Sequence, residues 1–322
     1  MTLDNILEEI KKAETIVIMA HETPDGDAIG SCLAMKVALK QLGKNADVII
    51  REVPKIFNFL PGREDIKTDS EVERYDLAIS LDCADFKRLV GSEYFEKAKQ
   101  TIVIDHHGSN KMYGDINFVN PVAPACCQIL IGMFQYFNIN IDKELGTCIL
   151  TGIITDTGGF KFSNTTSTTF AVLSCLTKQD IQPDKIVHDC VDLVKRNYFE
   201  LTKCAFNSVK FFEDGKIAVS LLTKHDLEAN NVERDTAKFM QFYLQNVEGV
   251  KIAVSISEGQ KNEFHISLRT ACDDVDVSAI AKRFGGGGHV RASGLTLKGE
   301  LKKALNALLL ECKKSLKGQN AN

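Results

Sequence analysis

Short apolar runs separated by polar, loop-forming stretches divide the chain into two parts with different rhythms. In the first, Thr15 to Ala20, Asp47 to Ile50, Leu77 to Leu81 and Thr101 to Ile104 are rich in Ile and Val, and their length and β-branched content suit buried strands. Leu3 to Lys12 and Ala28 to Leu42 carry helical spacing instead. Apolar strands alternating with helices predict a mostly parallel sheet covered on both faces. Leu145 to Thr155 reads as a further helix, broken by Gly158-Gly159. In the second part Val191, Leu193, Val194, Phe199, Leu201, Phe206 and Val209 are spaced for a connecting helix over 189–210. Beyond it Lys216 to Leu222 and Val250 to Ser257 alternate like strands, Phe264 to Arg269 adds a third, and Val277 to Phe284 looks helical. The expected organisation is an α/β domain over 1–188, the connecting helix, and a smaller α/β domain over 211–322.

Composition narrows the classes. At 322 residues the chain exceeds the size at which one core keeps growing, about 250 to 300 residues, so two domains are expected. A formal charge of −4 argues against a protein that grips long nucleic acid over many phosphates, which would show a basic surplus. Any nucleic-acid substrate is expected to be short. Ten cysteines occur without a C-x-x-C pair, which reads as reduced thiols, with Cys126-Cys127 as packing. The acidic residues among Met1 to Lys12 are unlike a signal peptide, and no apolar run approaches the ~20 residues that span a bilayer. A cytoplasmic protein without a membrane partner is expected. No internal repeat is visible, and the only biased segments are a glycine run and a polar tail from Lys314.

Candidate chemistry gathers where apolar elements pass into loops. In open α/β sheets ligands bind beyond the carboxyl ends of the strands, and His21, Asp82 and Asp105 each fall at or just past such an end. His21 opens the stretch His21-Glu22-Thr23-Pro24-Asp25-Gly26-Asp27, in which Pro24 and Gly26 are expected to hold the chain out of helix until Ala28. Asp156 closes the Leu145 helix. Taken singly, an Asp in such a place is most often a helix cap, and capping of the Ala28 helix is the plain alternative for Asp25 and Asp27. Taken together, His21, Asp25, Asp27, Asp82, Asp105, His106 and Asp156 form a two-metal ligand set. Imidazole mixed with carboxylates suits Mn²⁺ first, with Mg²⁺, Co²⁺ or Zn²⁺ as competitors, and a metal-dependent phosphoesterase is the leading expectation. In the second part, four glycines, Gly285 to Gly288, precede His289 and Arg291, and Arg269 ends a strand pattern. Exposed backbone N–H groups with these side-chain donors read as a phosphate site.

These residues resemble the DHH phosphoesterase superfamily, whose Asp-His-His triplet stands here as Asp105-His106-His107. The resemblance includes His21-x3-Asp25-x-Asp27, Asp82 in Leu81-Asp82-Cys83-Ala84-Asp85, and Gly152-Ile153-Ile154-Thr155-Asp156-Thr157. It extends to Gly285-Gly286-Gly287-Gly288-His289, which looks like the signature of the DHH-associated C-terminal domain. Length and layout are similar to the bifunctional oligoribonuclease and PAP phosphatase group. Pyrophosphate-cleaving relatives carry a lysine-rich signature in the second domain that is not found here.

The resemblance implies that one ion takes His21, Asp25 and Asp82 and a second takes Asp27, Asp82, His106 and Asp156, with Asp82 bridging. Such a pair can hold a bridging hydroxide for in-line attack on phosphorus. It implies a supporting role for Asp105, orienting a histidine, and a substrate-facing role for His107, which contacts the scissile phosphate or protonates the leaving oxygen. Arg269, Gly286, Gly287, Gly288, His289 and Arg291 would hold a non-reacting phosphate across a cleft between the domains, with the active site in that cleft. Cys126-Cys127-Gln128 departs from the family, where small hydroxyl residues and an acid are commoner. The expected substrates are RNA of about two to five nucleotides, short enough for a weakly acidic chain, and adenosine 3′,5′-bisphosphate. The alternatives are a cyclic- or linear-dinucleotide phosphodiesterase and a non-catalytic nucleotide-binding module, and a homodimer is left open.

Overall fold

The four apolar runs of the first part become β1 (Ile16–Met19), β2 (Ala46–Ile49), β4 (Leu77–Leu81) and β5 (Gln100–Asp105). Two edge strands complete the sheet, β3 (Ile66–Lys67) and β6 (Ile116–Val119). Apolar patterning missed both, because β3 is two residues long and no residue of β6 is fully buried. The structure, a computed structural model, describes residues 3–232, 243–259 and 262–317. The chain divides into two compact units, Met1–Leu193 and Val194–Asn322.

All neighbours in the first sheet are parallel, in the order β3-β2-β1-β4-β5-β6. Ile16, Ile18, Leu77, Ile79, Ile102 and Ile104 pack on one face in the main core of the unit, with α1 (Leu3–Lys12), α2 (Gly26–Gln41), α4 (Cys126–Tyr136) and α5 (Lys143–Asp156). Val17, Met19, Ile49, Ala78 and Val103 pack on the other, against Tyr75, Leu89 and α3 (Ser92–Lys97) through Phe95. Burial on both faces is why these strands read as near-continuous apolar runs. In this strand order the direction of winding reverses between β1 and β4, and a crevice opens there beyond the carboxyl ends. His21 follows β1 and Asp82 follows β4, so the crevice falls between them.

The second unit carries a mixed sheet of β7 (Lys210–Phe212), β8 (Ile217–Leu222), β9 (Ile252–Glu258), β10 (Glu263–Arg269), β11 (Gly287–His289) and β12 (Ala292–Lys298). Its order is β11-β12-β10-β9-β8-β7, with only β8 and β9 parallel. The helices Val277–Lys282 and Leu301–Lys317 accompany it, the second burying Leu308 and Cys312. Leu301, Leu305, Leu308 and Cys312 have the helical spacing that signals this helix. Lys314 to Lys317 therefore continue a helix rather than begin a polar tail, and residues 318–322 of that tail lie outside the described residues. Among the described residues no helix is long and apolar enough to cross a membrane.

The single helix expected over 189–210 is not formed. A π-helical turn ends at Asp192, Leu193 is extended (φ −70°, ψ 116°), and a separate helix begins at Arg196 and runs to Asn207. The apolar residues on either side serve different cores, Val187, Cys190 and Val191 the first unit's and Leu201 and Ala205 the second's. The break falls at Leu193 and Val194, which are exposed.

Candidate active site

Asp25 is the N-cap of α2, its Oδ1 accepting from the backbone N–H of Asp27 (3.0 Å) and Ala28 (3.1 Å). The helix begins at Gly26, two residues earlier than the Pro24 and Gly26 signals suggested. Gly26 is permitted in the first turn because tertiary contact demands it: a Cβ there would lie 2.4 Å from Thr155 Cγ2 on α5. Gly30 and Gly152 make the same close approach, a Cβ on Gly30 falling 2.5 Å from the Cys148 carbonyl. A Cβ on Gly152 would lie 2.4 Å from Cys127 Sγ and 2.5 Å from Asp27 Oδ1. This glycine-lined contact brings Asp27, in the first turn of α2, to Asp156 at the end of α5.

Asp27 is fully buried. Its Oδ2 accepts from Cys126 N (2.6 Å) and its Oδ1 from Cys127 N (2.9 Å). The acid thus caps α4, whose own N-cap residue Ala125 makes no side-chain bond, and the positive helix end favours its charge. These contacts come from the backbone, so the Cys126-Cys127 departure from the family pattern leaves them intact. An expected consequence concerns Gly152→Ala: overpacking against Asp27 and Cys127 should cost about 1–3 kcal/mol and displace the carboxylate. A urea midpoint and divalent-metal content unchanged from wild type would show that the contact does not hold Asp27 in place.

Asp82 leaves β4 in the left-handed region (φ 52°), which Asp tolerates better than most residues, and its N–H donates to Ile104 O on β5 (3.1 Å). His106 Nε2 lies 3.3 Å from Asp82 Oδ1, 3.3 Å from Asp156 Oδ2 and 3.9 Å from Asp27 Oδ2. His21 Nε2 lies 3.6 Å from Asp82 Oδ2 and 4.0 Å from Asp25 Oδ1. Three buried atoms here, His21 Nδ1, Asp82 Oδ1 and His106 Nε2, have no hydrogen-bond partner. Buried polar atoms without partners call for an explanation, and Asp82 Oδ1 and His106 Nε2, with His21 approaching through Nε2, converge without a hydrogen bond between them, as ligands of shared cations do. His21, Asp25 and Asp82 form one such group, and Asp27, His106 and Asp156 another.

Electrostatics agree with that arrangement. Burial, then the neighbouring Asp82, pushes Asp27 up to about 7. Burial, then Asp27, Asp25 and Asp82, pushes Asp156 up to about 9. Burial alone would lower His106, but Asp82, Asp27 and Asp156 outweigh it and raise it to about 9. Burial likewise opposes the charge on Asp82, yet His106 and His21 hold it below its ordinary value. Gathered this closely, the carboxylates oppose one another's ionisation near neutral pH, and a divalent ion bound among them would relieve that opposition.

Asp105 is buried and spent on orientation. Its Oδ1 accepts from the N–H groups of His106 (2.8 Å) and His107 (3.2 Å) and pairs with His107 Nδ1 at 2.7 Å. Its Oδ2 accepts from Asn110 Nδ2 (2.6 Å), which also donates to Cys83 O (3.1 Å). The Asp105 bond, against burial, raises His107 above its ordinary value. Sequence reasoning missed Asn110 and the α4 amides; Asn110 lies three residues past the triplet in a loop-forming Ser-Asn-Lys stretch, and the amides carry no side-chain signal at all. A cavity of about 330 Å³ is lined by His21, Asp25, Asp82, His107 and Asp156.

In the second unit the glycine run is not a free loop. Gly285 and Gly286 donate to Lys282 O (3.2 Å) and Ala281 O (3.0 Å), ending the helix Val277–Lys282, so those two N–H groups are spent. Gly287 to His289 form β11, an edge strand whose outer side no strand pairs among the described residues. A Cβ on Gly286 would meet Gly294 O at 2.3 Å and one on Gly288 would meet Ala292 O at 2.5 Å. Ala292 is register partner to both Arg269 and His289, which sets these two side chains on one face of the sheet with a small residue between them. Arg291 lies in the β11–β12 turn and pairs with Asp273.

Residues 15–153 match the DHH family, N-terminal domain, and residues 214–315 match the DHHA1 domain. The bifunctional oligoribonuclease and PAP phosphatase NrnA of Thermus thermophilus is 34% identical over 298 residues, covering 91% of this chain and 88% of that protein. The protein of the same name from Mycoplasma genitalium is 27% identical over 321 residues, 98% of each. An exopolyphosphatase-related protein from Bacteroides fragilis superposes with a TM-score of 0.82 at 25% identity, covering 99% of this chain and 97% of that one. RecJ of Thermus thermophilus, solved in complex with Mn²⁺, shares the fold at a TM-score of 0.52 and 13% identity, over 98% of this chain and 54% of that one. With domain matches in both units and a relative 34% identical across most of both chains, the protein belongs to the DHH family, a DHH domain followed by a DHHA1 domain.

Proposed function

We propose that this chain is a divalent-metal-dependent phosphoesterase that hydrolyses short oligoribonucleotides to mononucleotides and adenosine 3′,5′-bisphosphate to AMP, with Mn²⁺ as the preferred ion. The observation that carries the reading is the convergence of His21, Asp25, Asp27, Asp82, His106 and Asp156 beside one cavity, with buried donor atoms that no protein group satisfies. The names of the full-length relatives supply the substrate class. His21, Asp25 and Asp82 would hold one ion and Asp27, Asp82, His106 and Asp156 the other, with Asp82 near enough to both groups to serve each. Bound there, the ions supply Lewis-acid charge to the phosphoryl oxygens and lower the pKa of water. Asp105, itself held by Asn110, fixes the His107 ring through Nδ1. That leaves Nε2 of His107, a lining residue of the cavity, as the ring nitrogen available to protonate the leaving oxygen.

Product analysis with Mn²⁺ tests this on a dinucleotide, a five-mer, a long RNA, adenosine 3′,5′-bisphosphate, a cyclic dinucleotide and pyrophosphate. Mononucleotides from the first two, AMP from the bisphosphate and little from the rest are expected. Turnover confined to the cyclic dinucleotide or to pyrophosphate would replace the reading.

The second unit's residues Arg269, Gly287, Gly288, His289 and Arg291 are assigned to a phosphate remote from the chemistry, with Gly286, whose N–H is spent on Ala281 O, giving only close packing. His289→Ala and Arg291→Ala should each lose a charged hydrogen bond of about 1.5–3 kcal/mol, or ten- to a hundredfold in kcat/KM on a dinucleotide. Metal content should not change, and a small chromogenic phosphodiester should be little affected. Equal losses on both substrates would reject the clamp.

A further inference from the structure

Arg88 is the only Lys or Arg among the lining residues of the cavity that also holds Asp25, Asp82 and Asp156. Its backbone is locked to the first ligand loop: Glu22 N donates to Arg88 O (2.8 Å), Val90 N donates to Ala20 O (3.0 Å), and Leu89 forms a bridge with His21. The turn Phe86–Arg88 is itself capped by Asp85 through Lys87 N (3.1 Å). The side chain is aimed by Thr23, whose Oγ1 accepts from the guanidinium at 2.8 Å. That bond uses the hydroxyl as an acceptor and leaves its O–H to donate. The other neighbour is Glu22, with Nε 3.5 Å from Oε1 and both side chains more than half exposed. A loose surface pair of this kind stabilises little, so an anion can displace it. Three carboxylates on the same cavity repel an anionic substrate, and a guanidinium, with five donors in a planar fork, suits phosphate oxygens.

We propose that Arg88 contacts the phosphoryl group undergoing hydrolysis, taking a non-bridging oxygen, with the Thr23 hydroxyl as a second donor beside it. The inference rests on the phosphoesterase reading of this site and adds a protein cation to it. Water oxygen bonds to phosphorus and the bond to the leaving oxygen breaks. One water proton ends on that oxygen and the other in solvent, while Arg88 keeps its protons throughout. Its contribution is charge held where negative charge gathers in the transition state, which shows in kcat.

The experiment compares Arg88→Ala and Arg88→Lys with wild type, Mn²⁺-loaded, on a dinucleotide and on bis(4-nitrophenyl) phosphate. Because both substrates contain the scissile phosphodiester, Arg88→Ala should lower kcat about a hundredfold on both. This separates it from the His289 and Arg291 variants, which spare the small ester. Lys should restore only part of the loss, since it lacks the fork. Metal content and melting temperature should stay those of wild type, and inorganic phosphate should bind at least tenfold more weakly by calorimetry. A kcat within threefold of wild type on both esters, or a loss confined to the dinucleotide, would overturn the proposal. Failure of wild type to cleave either ester would overturn the phosphoesterase reading instead, and the phosphate titration would still decide whether Arg88 binds the anion.

Discussion

Asp82→Asn should abolish phosphoester hydrolysis, with a loss above a thousandfold, while the protein stays folded. The residue stands between both groups of candidate ligands, 3.6 Å from His21 Nε2 and 3.3 Å from His106 Nε2, so one amide removes the charge that the two proposed ions would share. Asn is the better test than Ala. Asp82 sits at φ 52°, where Asn is tolerated and Ala adds roughly 1 kcal/mol of backbone strain. Asp82→Ala is expected to be equally inactive but somewhat less stable. Activity within tenfold of wild type, in soluble protein with Mn²⁺ present, would refute the two-metal assignment.

Metal removal should abolish activity and make stability fall as pH rises from about 5 to 9. The sign follows from the folded-state shifts. Asp27 rises from 3.8 to about 7, Asp156 from 3.8 to about 9, and His106 from 6.5 to about 9. Each group binds its proton more tightly folded than unfolded, so the metal-free folded state holds the extra protons across this window and loses that stability as they leave. Asp82 is shifted the other way, and its contribution disappears only in acid, below the ordinary carboxylate range. A divalent ion takes the place of the protons, so added Mn²⁺ should raise the melting temperature more at pH 9 than at pH 5.5. It should also release protons on binding. Mn²⁺ should restore activity better than Ca²⁺, which prefers all-oxygen sites. An unchanged rate after chelation verified by elemental analysis, or stability that climbs with pH in the stripped protein, would contradict the arrangement.

The sequence alone determined what is local. Ile- and Val-rich runs declared β1, β2, β4 and β5, because a strand buried on both faces has little choice of side chain. His21, Asp82 and Asp105 were legible as strand-end residues, and the Gly158-Gly159 stop placed Asp156 at the end of its helix. Where a segment's apolar residues serve two cores, as over 189–210, the same spacing reads as one helix and misleads.

Only the tertiary structure decided how these pieces meet. The order β2-β1-β4-β5 puts the ends of β1 and β4 side by side, and no period within a segment encodes which strand will be its neighbour. The approach of α2 to α5 depends on Gly26, Gly30 and Gly152, whose missing side chains matter only once the other helix is present. Asp27 is bound by the backbone amides of Cys126 and Cys127, 99 and 100 residues away. Arg269 and His289 share a sheet face only through the register of β10, β12 and β11. Backbone donors, absent side chains and strand register leave no mark on residue type at the position they serve, so chain folding, rather than pattern, turns a set of polar residues at element ends into a site.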